Sequence, residues 1–301
     1  ETEMARTRAL RQWRRGLGEE PLELTREPSK PFLEDGIDRP RPIESGWPRV
    51  IAALPCYNEE RFVAETVRQA QKQVDQVIVV DDGSQDGTSS AARAAGAMIV
   101  RHRVNRGYGE AIRSCFQAAR ANGTSIMVTI DGDNQHIPEE IKRLVAPILR
   151  GEADLVVGSR LLQPSQQTNM PRYRKLGIKI ITWLFNVGSQ VKVRDAQSGF
   201  RAYSREILDT ITLTDKGMGV SVEVLIKARK MGFTIREVPI SCRYHDQSST
   251  LNPVSHGLRV ALAVVKFRAL SMCSRRGTPI KGKGRAGQEG QGATLGQCLG
   301  R

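Results

Sequence analysis

Across the middle of the chain, short unbroken apolar runs alternate with stretches of helical periodicity. VIAAL (Val50 to Leu54) reads as a strand leading into the polar loop PCYNEE, after which Val63, Val67, Ala70 and Val74 mark one face of a helix. QVIVV (Gln76 to Val80) is a second strand, ending in DDGSQDGT. An Ala-rich helix, the strand AMIV (Ala97 to Val100), a helix from about Tyr108, the strand SIMV (Ser125 to Val128) and the run DLVVGSR (Asp154 to Arg160) continue the series. Strands that are apolar throughout must be covered on both faces. The pattern therefore predicts an α/β fold: a mostly parallel, Rossmann-like sheet with helices on each side. In such sheets ligands bind beyond the carboxyl ends of the strands. PCYNE, DDGS, DGDNQ and GSR all fall there, so four polar clusters are expected to share one edge.

The texture changes after Leu161. MPRYRKLGIKIITWLFNVGSQ predicts an amphipathic helix with a basic first turn, and RDAQSGFRAYSRE a loop, a short strand and a helix start. VSVEVLIKARKMG is a helix stopped at Gly232, FTIREVPISCRY a strand, and HGLRVALAVVKFRALSMC a second amphipathic helix. The expected organisation is a disordered extension or linker over residues 1–48 and an α/β domain over 49–245. A lid loop with an amphipathic helix follows over 246–273, then a disordered, basic, Gly-rich tail over 274–301. His245 and His256 flank the Ser- and Asn-containing loop that could act as the lid.

With 301 residues and 39% hydrophobic content, the chain can bury a sizeable core. Its formal charge of +14 admits nucleic acid, an anionic membrane or phosphorylated substrates as partners. Part of that charge lies in RTRALRQWRR and SRRGTPIKGKGR near the two ends, and the core lacks aromatic and basic interleaving, so nucleic acid is not expected. The five cysteines form no C-x-x-C pair, which indicates neither a zinc site nor a disulfide framework and fits a reducing cytoplasm. No signal-peptide core and no run of about 18 uncharged apolar residues occurs, so the chain as given is not expected to span a membrane. A P-loop is missing, and NRGYGEA (Asn105 to Ala111) has only part of a dinucleotide fingerprint.

The candidate chemistry centres on TIDGDNQHIPEE, Thr129 to Glu140. While the chain stays extended, Asp131, Asp133 and Gln135 point the same way. Two carboxylates so close repel by roughly 1 to 4 kcal/mol, and three oxygen donors suit a hard divalent cation that completes its shell from water and a diphosphate. The alternative is that the segment caps the next helix, with Pro138 in its first turn. His136 is expected beside the carboxylates or as a cap. Glu223, among apolar residues, either faces a site or lies on a solvated face.

PCYNEE, VVDDGSQDGT, DGDNQHIPEE, GSR and DAQSGFRAYSRE together, in this order and spacing, resemble family 2 glycosyltransferases of the GT-A fold. The similarity is strongest to the dolichol-phosphate mannosyltransferase and polyprenyl-phosphate glycosyltransferase branch, and runs from about Val50 to Leu270. It implies inverting, metal-dependent transfer of a hexose from a GDP- or UDP-linked sugar to a polyprenyl or dolichyl phosphate. By resemblance, Pro55, Tyr57, Glu59 and Asp82 hold the nucleotide, and Asp131, Asp133 and Gln135 bind Mg2+ or Mn2+. Arg160 with Arg172 or Arg174, and the loop of Gln197, Ser198, Gly199 and Arg201, match the acceptor side, with Asp133, Arg160, Asp195 and Arg201 the candidate catalytic groups. A phosphate acceptor is already a nucleophile at neutral pH. A saccharide acceptor would need a base, for which Asp195 is the candidate, unless Asp195 only fixes its loop. The segments Ile178 to Val187 and Leu258 to Met272 mix apolar faces with Lys and Arg, as interfacial helices do, so a peripheral position on the cytoplasmic face of a membrane is expected.

Overall fold

The apolar runs form strands within a residue or two of their expected ends: β1 (Val50–Cys56), β2 (Gln76–Asp81), β3 (Met98–Arg101), β4 (Ile126–Thr129) and β5 (Leu155–Ser159). Between them lie α1 (Glu60–Gln71), α2 (Thr88–Ala94), α3 (Tyr108–Ala121) and α4 (Ile141–Leu149), the last preceded by a 3-10 turn at Pro138–Glu140. The second half adds β6 (Gln167–Thr168), α5 (Arg172–Asn186), β7 (Arg201–Ser204), α6 (Arg205–Thr210), α7 (Val220–Lys230), β8 (Ile235–Pro239) and β9 (Cys242–Arg243). This computed structural model describes residues 48–162, 167–168, 172–187 and 192–243, with Leu262 and Phe267. The extension expected over 1–48 (Pro48 apart), the lid loop with His245 and His256, and the tail over 274–301 lie outside the described residues. Of the second amphipathic segment only Leu262, exposed, and Phe267, buried, fall within them.

Seven strands pair in the order β3-β2-β1-β4-β7-β5-β8, and β6 pairs separately with β9. Alternate residues of each central strand enter two different cores. Ile51, Ala53, Ile78 and Val80 pack beneath α3, α5, α6 and α7, whereas Val50, Ala52, Leu54 and Val79 pack beneath α1, α2 and α4. Both faces of the sheet are thus apolar, which is why no polar alternation marks these runs.

The departure from a parallel arrangement is β7, which runs antiparallel between β4 and β5, with Arg201 opposite both Thr129 and Val157. Its direction places the residues before it, Gln197 to Phe200, at the edge where β4 and β5 end. At that edge the chain goes from β1 to β2 and β3 on one side and returns to β4 on the other. This is a topological switch point, where neighbouring strand ends part and leave a crevice.

The glycines of NRGYGEA are explained by packing. Gly107 has φ +96, and a Cβ on Gly109 would lie 2.6 Å from the Lys216 carbonyl carbon and closer still to the Asp215 oxygen. Since backbone on both sides would have to move, Gly109→Ala is expected to destabilise the fold by about 1–3 kcal/mol. Gly177, inside α5 with open space around it, is the control: Gly177→Ala should be neutral or stabilise by up to about 1 kcal/mol. Urea midpoints of the two variants check both.

Candidate active site

The first two loops of the edge are interlocked. Asn58, in the left-handed region at φ 55, donates its N–H to Ser84 Oγ at 2.9 Å and accepts from the Gln85 N–H at 2.9 Å. The Glu59 N–H donates to Thr88 Oγ1 at 2.8 Å, and the Glu60 carboxylate accepts from the Gly87 N–H at 3.0 Å. Tyr57 stands at the rim, 42% exposed, while Pro55 is a buried residue of β1 paired with Val80.

Across the switch point lies the loop after β4. It does not stay extended: Gly132 and Asp133 form a turn and Asn134 takes φ 58, a conformation open to asparagine. Gly132 fits because a side chain there would strike Cys56 Sγ, beyond which lies Glu59 Cβ. The turn nevertheless keeps Asp133 and Gln135 together, since the Gln135 amide N–H2 and backbone N–H both donate to the Asp133 carboxylate. Asp131 accepts from the Tyr108 hydroxyl at 3.3 Å and has His136 Nε2 at 3.5 Å. His136 is buried against Phe200, with its Nδ1 unpartnered.

The electrostatics of this crevice are those of excess negative charge. Burial, followed by the charges of Asp133, Asp131 and Asp86, pushes the Glu59 carboxyl up to about 7. Burial and then Asp131 raise Asp133 as well. For Asp131 burial is outweighed by His136, Arg160 and Tyr108, and it ionises first. Asp131 and Asp133 with the Gln135 amide could hold a divalent cation, and the suppressed ionisation of Glu59 and Asp133 is what such a cation would relieve. Among the described residues no three His, Cys, Asp or Glu side chains form a metal cage by themselves, so a cation here would take further oxygens from water or a bound diphosphate.

On the other side, Asp195 is completely buried and grips Arg160 with two prongs, Oδ2 on Nε at 2.7 Å and Oδ1 on Nη2 at 2.9 Å. Burial alone would raise this carboxyl, but the Arg160 guanidinium outweighs it and holds it below the usual range. As an available base Asp195 does not survive; fixing its loop and Arg160 is what the geometry gives it. The loop itself is pressed on the carboxylates. Thr129 Oγ1 donates to the Gly199 carbonyl at 2.7 Å, and a Cβ on Gly199 would lie 2.9 Å from Asp131 Oδ2. Ser198 is buried with its hydroxyl unpartnered, and Gln197 is half-buried.

Three further expectations change. Arg201 is not directed to a ligand: it is 1% exposed and donates to the carbonyls of Ser198 (2.7 Å), Ser221 (2.6 Å) and Ala196 (2.8 Å). Asp82 is turned inward, accepting from the N–H groups of Arg106 and Gly107 at 2.9 and 2.8 Å and lying 2.6 Å from His102 Nδ1. Glu223 lies on neither a site nor a solvated face; it is buried and binds Lys227 and the N–H groups of Thr214 and Asp215. Arg172 and Arg174 fall in the first turn of α5, with side chains outside the described residues. Tyr108, by contrast, reaches Asp131 although the sequence does not single it out. It sits in the Gly-Tyr-Gly of NRGYGEA, and the only signal is a glycine pair without a nucleotide fingerprint to explain it.

Known proteins are similar to this chain in sequence and in fold. The profile of glycosyl transferase family 2 matches residues 52–212. The UDP-N-acetylglucosamine–dolichyl-phosphate N-acetylglucosaminyltransferase of Methanococcus voltae is 33% identical, over 73% of this chain and 93% of that protein. The polyprenol monophosphomannose synthase of Mycolicibacterium smegmatis is 33% identical, over 64% and 77%. Among solved structures, glucosyl-3-phosphoglycerate synthase from Mycobacterium tuberculosis in complex with Mn2+ and UDP-glucose aligns with a TM-score of 0.59 at 26% identity, covering 73% of this chain and 79% of that one.

Folding raises the Glu59 carboxyl from 4.5 to about 7, so between these values the folded chain keeps a proton that the unfolded chain releases. Cation-free stability should therefore fall as pH rises through that window, and Glu59→Gln should flatten the fall in urea titrations. Divalent-cation affinity should move the opposite way, strengthening between about pH 6 and about pH 8 in a Mn2+ titration, again less so in Glu59→Gln. Arg201→Met, which strands three buried carbonyls, should cost about 3 kcal/mol or more of stability in urea unfolding.

Proposed function

The chain belongs to glycosyl transferase family 2, and on that premise we propose that it moves a hexose from a UDP- or GDP-linked sugar to the phosphate of a polyprenyl or dolichyl phosphate, with inversion. The observation that carries the choice of acceptor is the Arg160–Asp195 pair. A sugar hydroxyl would need its proton removed, and the carboxylate at hand for this is buried, ionised and committed to an arginine. A phosphate monoester has its second pKa near 6 and arrives at neutral pH as a dianion, needing orientation and charge rather than a base. An arginine locked by a two-pronged carboxylate keeps one orientation, and guanidinium geometry suits phosphate oxygens. The names of the relatives from Methanococcus and Mycolicibacterium support a lipid-phosphate acceptor.

In this reading Tyr57 and Glu59 border the nucleotide, and Asp131, Asp133 and Gln135 hold a divalent cation, a reading supported by the Mn2+ and UDP-glucose of the mycobacterial complex. Bound there, the cation would neutralise the charge that develops on the departing diphosphate. Tyr108 and His136 orient Asp131, and the Gln135 amide orients Asp133. The loop at Ser198 and Gly199, held down by Arg201, closes the crevice against Asp131.

The test is transfer of radiolabelled sugar from a panel of UDP- and GDP-hexoses to a short polyprenyl phosphate. Label should enter the lipid with one donor class, vanish with chelator, and fall by about 10^2-fold or more in Asp133→Ala. Asp195→Asn, which loosens Arg160, should raise KM for the lipid phosphate more than for the donor. Label passing only to a saccharide or to phosphoglyceric acid would overturn the lipid acceptor while leaving the family assignment intact.

A further inference from the structure

Of Asp131, Asp133 and Gln135, only Gln135 has a side chain with two unlike ends, and both ends are engaged. Its amide N–H2 donates to the Asp133 carboxylate, and its Oε1 accepts from the thiol of buried Cys242, whose Sγ lies 3.9 Å away. Consecutive residues fasten this thiol to the cation loop. The Ser241 N–H and hydroxyl donate to the Glu140 carboxylate at 2.8 and 3.1 Å, and Glu140 is itself paired with Arg143. Cys242 forms an antiparallel bridge with His136, and the Arg243 N–H donates to the Gln135 carbonyl at 2.8 Å. On its outer side β9 pairs with β6, Gln167 standing opposite Cys242. The strand is thus held from both sides with its sulfur against the amide.

A hard divalent cation takes an amide by its oxygen and not by its nitrogen. Here the oxygen faces Cys242, and the end shown to Asp133 is the N–H2. For Gln135 to share a cation with Asp133, the amide must turn over about its last torsion and exchange its two ends. Residue 242 then meets a donor where it had met an acceptor. A side chain that only donates or only accepts would suit one orientation and leave a buried polar end unmatched in the other. A thiol suits both, since its S–H is a weak donor and its sulfur a weak acceptor.

We propose that Cys242 is a positioning residue for the cation side of the crevice, donating to Gln135 Oε1 in one orientation of the amide and accepting from Nε2 in the other. It thereby lets the third ligand turn without leaving either end unmatched. The proposal rests on the reading of Asp131, Asp133 and Gln135 as ligands of a divalent cation, and it adds the residue through which Gln135 adapts. Cys242 acts on the amide and does not touch the cation.

Mn2+ titrations of the full chain, with UDP or GDP present and read from the spin resonance of free Mn2+, test this without recourse to sugar transfer. Cys242→Ala should weaken Mn2+ binding by about tenfold, the low end for partners of metal ligands. Cys242→Ser keeps a donor and an acceptor at shorter reach, and should lose less. The deciding comparison is made in Gln135→Glu, whose carboxylate offers the cation an oxygen whichever way it turns. There Cys242→Ala should cost less than about twofold. Equal losses in the two backgrounds would reduce Cys242 to packing and overturn the proposal. A thiolate charge-transfer band on adding Cd2+, absent from Cys242→Ala, would make Cys242 a ligand and overturn it as well. Mn2+ binding lost in Asp133→Ala but intact in Cys242→Ala would sink the proposal alone and keep the cation reading. A parent chain that binds no Mn2+, or binding that persists in Asp133→Ala, would sink both.

Discussion

A carboxylate withdrawn from water must be matched by hydrogen-bond donors or by a cation, and the carboxyl edge of this sheet carries more of them than its own donors satisfy. Asp81 is matched by the Ser84 N–H, the Ser89 hydroxyl and Arg101; Asp82 by His102 and two backbone N–H groups; Asp195 by Arg160; and Glu140 by Ser241 and Arg143. These matched acids tie the loops to one another. Asp82 draws the start of α3 towards β2, and Glu140 draws the β8–β9 connection onto the turn that follows Asp133. The loops so fixed leave Glu59, Asp131 and Asp133 close together, and burial followed by the charges of Asp133 and Asp131 keeps the proton on Glu59 to about pH 7. The acids matched by the loops thus keep these three within one another's field.

The antiparallel strand β7 supplies the other half of the site. Had it run parallel, the loop before it would have opened at the far edge of the sheet, away from Asp131. Entering at the carboxyl edge, it sets Gly199 against Asp131 and Arg201 in register with Thr129. The Arg201 guanidinium, buried, staples Ala196, Ser198 and Ser221 together. That staple ties the loop to the start of α7.

The strands were legible because a strand covered on both faces leaves an unbroken apolar run, and Val50 to Leu54 or Gln76 to Val80 can hardly be anything else. The crevice was legible because Asp131 and Asp133 follow such a run directly. What could not be read were the partners of each acid. Asp82 looks in sequence like a ligand-binding carboxylate, yet its donors come from 20 to 25 positions away, at His102, Arg106 and Gly107. Arg201 looks like an anion-binding group because carbonyl acceptors have no sequence signature. The direction of RAYS (Arg201 to Ser204) depends on where α5 delivers the chain, which is a long-range packing outcome. Periodicity found α5 itself as amphipathic, but could not say that its apolar residues serve two faces.

These features bear on where catalytic power would reside for a phosphate acceptor. With a nucleophile that is already ionised, little is left for proton transfer, and the barrier is lowered by holding charges at fixed positions. Arg160 is held by Asp195, whose own N–H is held by Glu237 of β8 at 2.9 Å, while the same carboxylate takes the Arg194 N–H at 2.7 Å. Burial first, with Asp195 also contributing, raises the Glu237 carboxyl, so this chain of contacts carries a cost of its own. A fold that needed Arg160 only as a diffuse positive charge would have no use for it, since an exposed lysine would serve. A buried carboxylate, itself pinned by Glu237, gripping one guanidinium makes sense if the direction of that guanidinium, and not merely its charge, is what the acceptor meets.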